Sequence, residues 1–311
     1  MTKTEATNPL ERAGGRSPGQ VLADRLARGE QLRIAIATDG SPFAQTATAV
    51  AGDLARTLHA EIIVLVAFRD EQEAIWKRGI LDEARELLGE LEPPAETVQL
   101  IGFADEVIIE HLAASPVDLL VIGAFGDRGT TRFLIGSTAQ RLVLHAPPSV
   151  LMVKDPRPGF GKILACTAFG DEVVVDVAGQ LAKALQAELK VLHVVPPTAA
   201  MYMALPDAVH VPLGEALAQD TPLARHLTRC VNRLEAMGLN GDIVMVRRGA
   251  VPDVIFEEAR AGAFDMIVVG SRAGHPRDSY FIGSTADRVA KHAHRSVLVV
   301  RTESDRGASS G

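Results

Sequence analysis

Residues 50–68 read VAGDLARTLHAEIIVLVAF, and residues 177–195 read VAGQLAKALQAELKVLHVV. The two stretches agree almost position for position, so one fold is built twice along the chain. Two further pairs continue the match. Residues 117–126 (VDLLVIGAFG) answer 264–273 (FDMIVVGSRA), and residues 135–153 (IGSTAQRLVLHAPPSVLMV) answer 282–300 (IGSTADRVAKHAHRSVLVV). A length of 311 residues suits two domains of about 100–200 residues each. The expected division is a disordered N-terminal tail over 1–30, a first domain over 31–155, a second over 160–301, and a disordered tail over 302–311. Both tails are polar and rich in small residues. An insertion follows Val195 in the second copy.

Within the first copy, apolar runs alternate with helical periodicity. Strands are expected over 33–37, 62–68, 97–101, 119–123 and 149–153. Helices are expected over 44–58, behind Ser41 as N-cap and Pro42 as first residue, and over 71–91, 105–114 and 137–145. Near-continuous Val/Ile/Leu strands separated by helices imply a parallel sheet covered on both faces, joined by right-handed crossovers. Each copy is thus an α/β, doubly wound unit with a five-stranded parallel sheet. Its last strand would be left as an open edge, and pairing 149–153 with 296–300 would cover both edges, making an intramolecular pseudo-dimer.

Composition narrows the function. A net charge of −7 disfavours binding to nucleic acid, which calls for a clustered basic surface. No apolar run approaches the ~20 residues of a membrane span, and the N-terminus has no apolar leader segment, so a cytoplasmic protein away from the membrane is expected. Cys166 and Cys230 lie far apart and read as buried, reduced thiols. His292 and His294, two residues apart near a helix end, read as solvated groups favouring the helix dipole and not as metal ligands.

In open α/β sheets the ligand crevice lies beyond the carboxyl ends of the strands. There the first copy places Gly123, Gly126 and, nine residues on, Gly136-Ser137-Thr138 at the opening of a helix. Glycines admit close backbone approach, and a helix start offers free N–H groups and a positive dipole end, both suited to phosphate. Arg128 and Arg132 lie on the intervening loop.

This G-x2-G-x9-G-S spacing resembles the nucleotide signature of the ATP-binding branch of the universal stress protein family. So do the opening ATDGS (37–41), the Gly102 segment and the GSTAQRLVLHAPPSVLMV ending, and the resemblance covers both copies. It implies a Rossmann-like fold with strand order 3-2-1-4-5 and ATP, AMP or ADP in the crevice between strands one and four, with Mg2+ accompanying a triphosphate. It assigns the ligand to Ala37, Thr38, Asp39, Ala67, Ile122, Gly123, Gly126, Arg128, Gly136, Ser137 and Thr138, with Asp39 at the nucleoside end. It also implies a stress-response regulator acting through conformation or an unidentified protein partner, with homodimers of tandem chains as a further level, and no dedicated catalysis. No Walker lysine pattern, G-x-S-x-G elbow or HExxH helix is present. Hydrolysis of a bound triphosphate at a slow rate needs no dedicated base.

The second copy keeps Gly270, Gly283, Ser284 and Thr285, a weaker second site. Ala273 stands where the first copy has Gly126, and either Ala168 or Cys166 stands opposite Asp39. Lacking that carboxylate, it is expected to bind weakly or not at all.

Overall fold

The computed structural model describes residues 15–125, 135–154, 159–197, 210–218, 220–271 and 283–302. The first half runs β1 (Arg33–Ala37), α2 (Pro42–Leu58), β2 (Glu61–Phe68), α3 (Glu71–Trp76), α4 (Gly79–Leu88), β3 (Glu96–Ile101), α5 (Ala104–Ala114), β4 (Leu119–Gly123), α6 (Ser137–His145) and β5 (Ser149–Val153), preceded by α1 (Pro18–Arg28). The second half runs β6 (Lys162–Thr167), α7 (Glu172–Leu185), β7 (Glu188–Val195), β8 (His210–Val211), α8 (Leu213–Leu217), α9 (Pro222–Ala236), β9 (Val244–Arg248), α10 (Val251–Ala261), β10 (Met266–Gly270), α11 (Ser284–His292) and β11 (Ser296–Val300).

All the strands among the described residues belong to one eleven-stranded sheet, ordered β3-β2-β1-β4-β5-β11-β10-β6-β7-β9-β8. Each half therefore shows the 3-2-1-4-5 order, and its five main strands are parallel. The second half adds a sixth strand: β8, from the insertion after Val195, lies antiparallel on β9 at the outer edge. The strands are apolar on both faces because both faces are covered. One core gathers Ile34, Ile36, Val64 and Val121 with Ile163, Val191 and Val268 under α2, α4, α7 and α9. The other gathers Leu65, Leu120 and Ile122 with Leu164, Leu192 and Ile267 under α5, α6, α10 and α11. No helix among the described residues is long and apolar enough to cross a membrane.

The halves join where β5 and β11 pair antiparallel, Leu151 opposite Leu298. The seam is locked by a repeated device. Lys154, just past β5, donates through Nζ to the Ala290 and Ala293 carbonyls at the end of α11, at 2.6 and 2.7 Å. Arg301, just past β11, donates through Nη2 to Val143 at 2.8 Å and through Nε to Ala146 at 2.9 Å, at the end of α6. Each cation meets the negative end of the other half's last helix, where a positive charge is favoured. Buried Ser149 and Ser296 complete the symmetry by accepting from the Arg301 and Lys154 amides, both at 3.2 Å. Burial pushes Lys154 down to about 7, a trend that its two carbonyl acceptors oppose. Burial pushes Arg301 down to about 10, so it stays cationic at neutral pH.

Two expectations are corrected. Residues 18–28, assigned to a disordered tail, form α1. Ser17 Oγ accepts from Gln20 N at 3.2 Å, Pro18 starts the helix, and Gly29 closes it in the left-handed conformation at φ 62°. Leu22 and Ala23 are 1% and 3% exposed in the core, against α7 of the second half. Gly19 N donates to Arg301 O at 2.8 Å, and Arg25 pairs with the buried Asp118 at 2.7 Å. The helix is held because apolar burial on one face and this ion pair offset its ordering entropy. Residues 71–91, expected as one helix, break at Lys77 and Arg78. α4 buries Leu81, Ala84 and Leu88, whereas α3 buries none of its residues and leaves Ile75 and Trp76 exposed. The outer parts of both tails, residues 1–14 and 303–311, lie outside the described residues.

Candidate functional site

A cavity of about 120 Å3 opens at the carboxyl ends of β1, β2 and β4. β1 and its following turn supply Ala37, Thr38 and Asp39; β2 supplies Ala67; β4 and its extension supply Ile122, Gly123 and Phe125. α5 supplies Ala104 and Ile108, and α6 with its N-cap supplies Gly136, Thr138, Ala139 and Leu142, while Ala44 of α2 closes the side. The structure thus brings together Ala37, Thr38, Asp39, Ala67, Ile122, Gly123, Gly136 and Thr138, eight of the residues expected from the sequence. Ser137 is exposed and does not line the cavity. Gly126, Arg128 and Arg132 fall on positions 126–134, outside the described residues, as does Ala273 of the second copy.

The walls are mostly apolar, and the polar side chains among them are Thr38, Asp39 and Thr138. Asp39 is exposed and its Oδ1 accepts from Ser41 N at 3.0 Å, so it closes a turn and also faces the cavity. Thr38 is buried and its Oγ1 accepts from Gly40 N at 3.3 Å. Ser41 caps α2 by accepting from Ala44 N at 3.4 Å and donates to Phe125 O at 3.5 Å. Phe125 stands edge-on to Phe43, ring centroids 4.7 Å apart, which stiffens that wall. On the outer side Arg141 of α6 pairs with Asp105 of α5 at 2.5 Å, tying together the two helices that flank the opening.

Gly123 and Gly136 line the cavity and also serve the protein's own packing and hydrogen bonding. A Cβ on Gly123 would lie 2.7 Å from Phe43 C and 2.8 Å from Ala44 N. That residue is glycine because the first turn of α2 crosses it, so the freed space belongs to protein backbone and not to a ligand. The Gly136 amide is also used, donating to Ala124 O at 3.0 Å. What remains for a ligand is the helix start itself. Gly136 is the N-cap of α6 and offers no side-chain acceptor, so the N–H groups of the first turn have no intrahelical partner.

The second half repeats the frame. Gly283 N donates to Ser271 O at 3.1 Å and is the N-cap of α11, again without a side-chain acceptor, with Ser284 and Thr285 following. The sheet registers decide the alignment left open by the sequence. Cys166 takes the place of Ala37, Thr167 that of Thr38, and Ala168 that of Asp39, so the carboxylate is absent. Cys166, expected to be buried, is half-buried, whereas Cys230 is buried; desolvation pushes the Cys166 thiol well up. Among the described residues no group of three His, Cys, Asp or Glu is arranged to hold a metal ion, His292 and His294 included.

Two doubly wound units fused edge to edge, with a small crevice at the switch point of the first, define a tandem Rossmann-like protein. The comparisons give the family. The Universal stress protein family matches residues 32–154 and 159–301, nearly the whole of both halves, and the chain belongs to that family. A universal stress protein of Methanocaldococcus jannaschii is 29% identical over 155 residues, which cover 44% of this chain and 91% of that protein. A functionally unknown protein from Pseudomonas aeruginosa PAO1 superposes with a TM-score of 0.65 at 21% identity, covering 89% of this chain and 94% of that one. A universal stress protein from Archaeoglobus fulgidus gives 0.64 at 18% identity, covering 87% and 98%. These two solved structures share the full tandem fold.

Proposed function

We propose that the first half holds an adenine nucleotide, ATP in the first instance, and that the protein acts as a stress-response regulator through the conformation or partner binding that the nucleotide sets. The observation that carries this reading is the meeting of three features in one cavity: apolar walls, the exposed Asp39 carboxylate, and the start of α6, which no side chain among the described residues caps. A cavity of about 120 Å3 is below the ~300–1,000 Å3 of most ligand pockets. It encloses one flat, ring-sized group and leaves the rest of the ligand at the rim. Asp39 then faces hydroxyls, because a carboxylate repels phosphate, while the α6 start takes a phosphate oxygen. Mg2+ would accompany a triphosphate on its own phosphate oxygens. Asp39 is the one ionisable side chain among the described residues lining the cavity, which supports holding a ligand over turning one over. The second half, with Ala168 in place of a carboxylate, has the weaker site. A cytoplasmic location and further pairing of chains belong to the same reading.

Calorimetric titration with ATP and AMP tests it. One strong site per chain is expected, lost in Ala67→Leu, which fills the cavity, and kept in Ser284→Ala of the second half. Two equal sites, or binding that survives Ala67→Leu in a protein of unchanged circular dichroism, would overturn it.

A further inference from the structure

The core of the second half contains two imidazoles. His193 on β7 takes the sheet position that Val66 holds on β2 of the first half, and His226 comes from α9. They are 4% and 0% exposed, with ring centroids 5.0 Å apart. Phe169, in the turn between β6 and α7, lies 5.2 Å from His193 and 5.4 Å from His226, edge-on to both. Phe169 is 44% exposed and covers both rings, so it is the lid over the pair.

The two rings differ in their bonding. His226 Nδ1 lies 3.1 Å from Glu172 Oε1 at the start of α7, and its Nε2 lies 3.3 Å from Thr167 Oγ1. Glu172 also accepts from Arg229 Nε at 2.7 Å. His193 Nδ1, by contrast, is buried and has no hydrogen-bond partner among the described residues. Around them, α7 further presents Asp176, bonded to Arg233 of α9, and α9 presents Cys230, its Sγ 3.7 Å from His226 Nε2. Asp171 ends the Phe169 turn, and β9 sets Val246 beside His193. Cys230 stays protonated, its thiol pushed up to about 11 by burial.

We propose that this pair is an acid-responsive latch: protonation of the two imidazoles drives Phe169 outward and loosens the packing of α7 on α9. Glu172 favours a first proton on His226, and Thr167 then has to turn its hydroxyl from the ring toward Ala168 O, 3.5 Å away. A second proton, on Nδ1 of His193, creates an N–H with no acceptor among the described residues and a like charge across a 5.0 Å ring contact. Water is the available acceptor, and among the described residues Phe169 covers both rings. Burial, with the neighbouring imidazole adding to it, outweighs the opposing pull of the Thr167 backbone and lowers His193 to about 4 from an ordinary 6.5. Burial likewise lowers His226, against the pull of Glu172. Because the folded form of His193 resists the proton that the unfolded chain accepts, stability is full above 6.5 and declines as pH falls toward 4.

The test moves the chain's single tryptophan onto the lid, as Trp76→Phe with Phe169→Trp, and follows emission and far-UV circular dichroism from pH 7.5 downward. A red shift with greater quencher access between pH 6.5 and 4, at constant circular dichroism, is the expected result, and His193→Phe in the same background abolishes it. The proposal is overturned if the shift survives His193→Phe, or if emission moves only as circular dichroism is lost. Should His193→Phe not fold, imidazole proton NMR of the unaltered protein decides. A histidine titrating well below the rest, in step with the Phe169 ring resonances, supports the latch, and Phe169 resonances that stay put across the titration refute it.

Discussion

Arg301→Met removes the cation that ends α6 while keeping most of its apolar volume. Arg301 is 8% exposed and makes two bonds of good length, 2.8 Å to Val143 O and 2.9 Å to Ala146 O, with a longer one of 3.3 Å to Pro148 O. Hydrogen bonds to a charged group contribute about 1.5–3 kcal/mol each after desolvation. The loss of favourable helix-end charge adds about 0.3–1 kcal/mol. Methionine recovers part of this by avoiding the burial of a charge, so a net loss of about 3–4 kcal/mol is expected. That is a large share of the ~5–15 kcal/mol that holds a typical native state. Equilibrium urea unfolding followed by circular dichroism measures it as a lower midpoint at unchanged slope. Lysine performs the same task at position 154 with two carbonyls, so Arg301→Lys should recover at least half of the loss. A Met variant within about 1 kcal/mol of the parent, or a Lys variant as unstable as the Met one, would refute the view that this cation fastens the seam.

The remaining expectations follow the same logic. Deleting residues 1–30 removes α1 together with the burial of Leu22 and Ala23 and the Arg25–Asp118 pair. It should lower stability by about 3 kcal/mol, from roughly 1.5–3 kcal/mol per fully buried large apolar side chain plus the stranded carboxylate. Thermal unfolding reads the change, and an unchanged midpoint would show that α1 only rests on the surface. Gly123→Ala forces a methyl to within 2.7 Å of the α2 backbone and should cost about 1–3 kcal/mol by overpacking. It should also weaken nucleotide binding through displacement of α2, and a variant of parental stability would argue against the close crossing.

Much of the fold was legible because its strands are short Val/Ile/Leu runs that need cover on both faces, and because each run occurs twice. β1, β4 and β5, and helix α6, fall within a residue of their expected bounds. The missed α1 carried its own signals: Ser17 and Pro18 at one end, Gly29 at the other, and Leu22 and Leu26 one turn apart. They were outweighed by the polar, glycine-bearing residues ahead of them. The break at Lys77 and Arg78 has no proline or cap to announce it, and the apolar spacing of Ile75 with Leu81 continues across it. In the site, the sequence marked eight residues that do share one cavity, yet it could not say what fills the space beside a glycine. For Gly123 the answer is the α2 backbone, supplied by a segment 80 residues away in the chain. His193 is one letter inside an otherwise apolar VLHVV, and its pairing with His226 exists only once α9 packs on β7.

The antiparallel seam sets where each half looks. Since every main strand of one half runs opposite to those of the other, the carboxyl ends of β1 and β4 emerge at one rim of the sheet, and those of β6 and β10 at the opposite rim. The two helix starts, of α6 and α11, therefore stand on opposite sides of the molecule. Fusion in a single polypeptide also releases the two copies from having to stay identical, as a pair of separate chains encoded once must. One face is thereby free to keep Asp39 while the other carries Ala168 there and a histidine pair behind it.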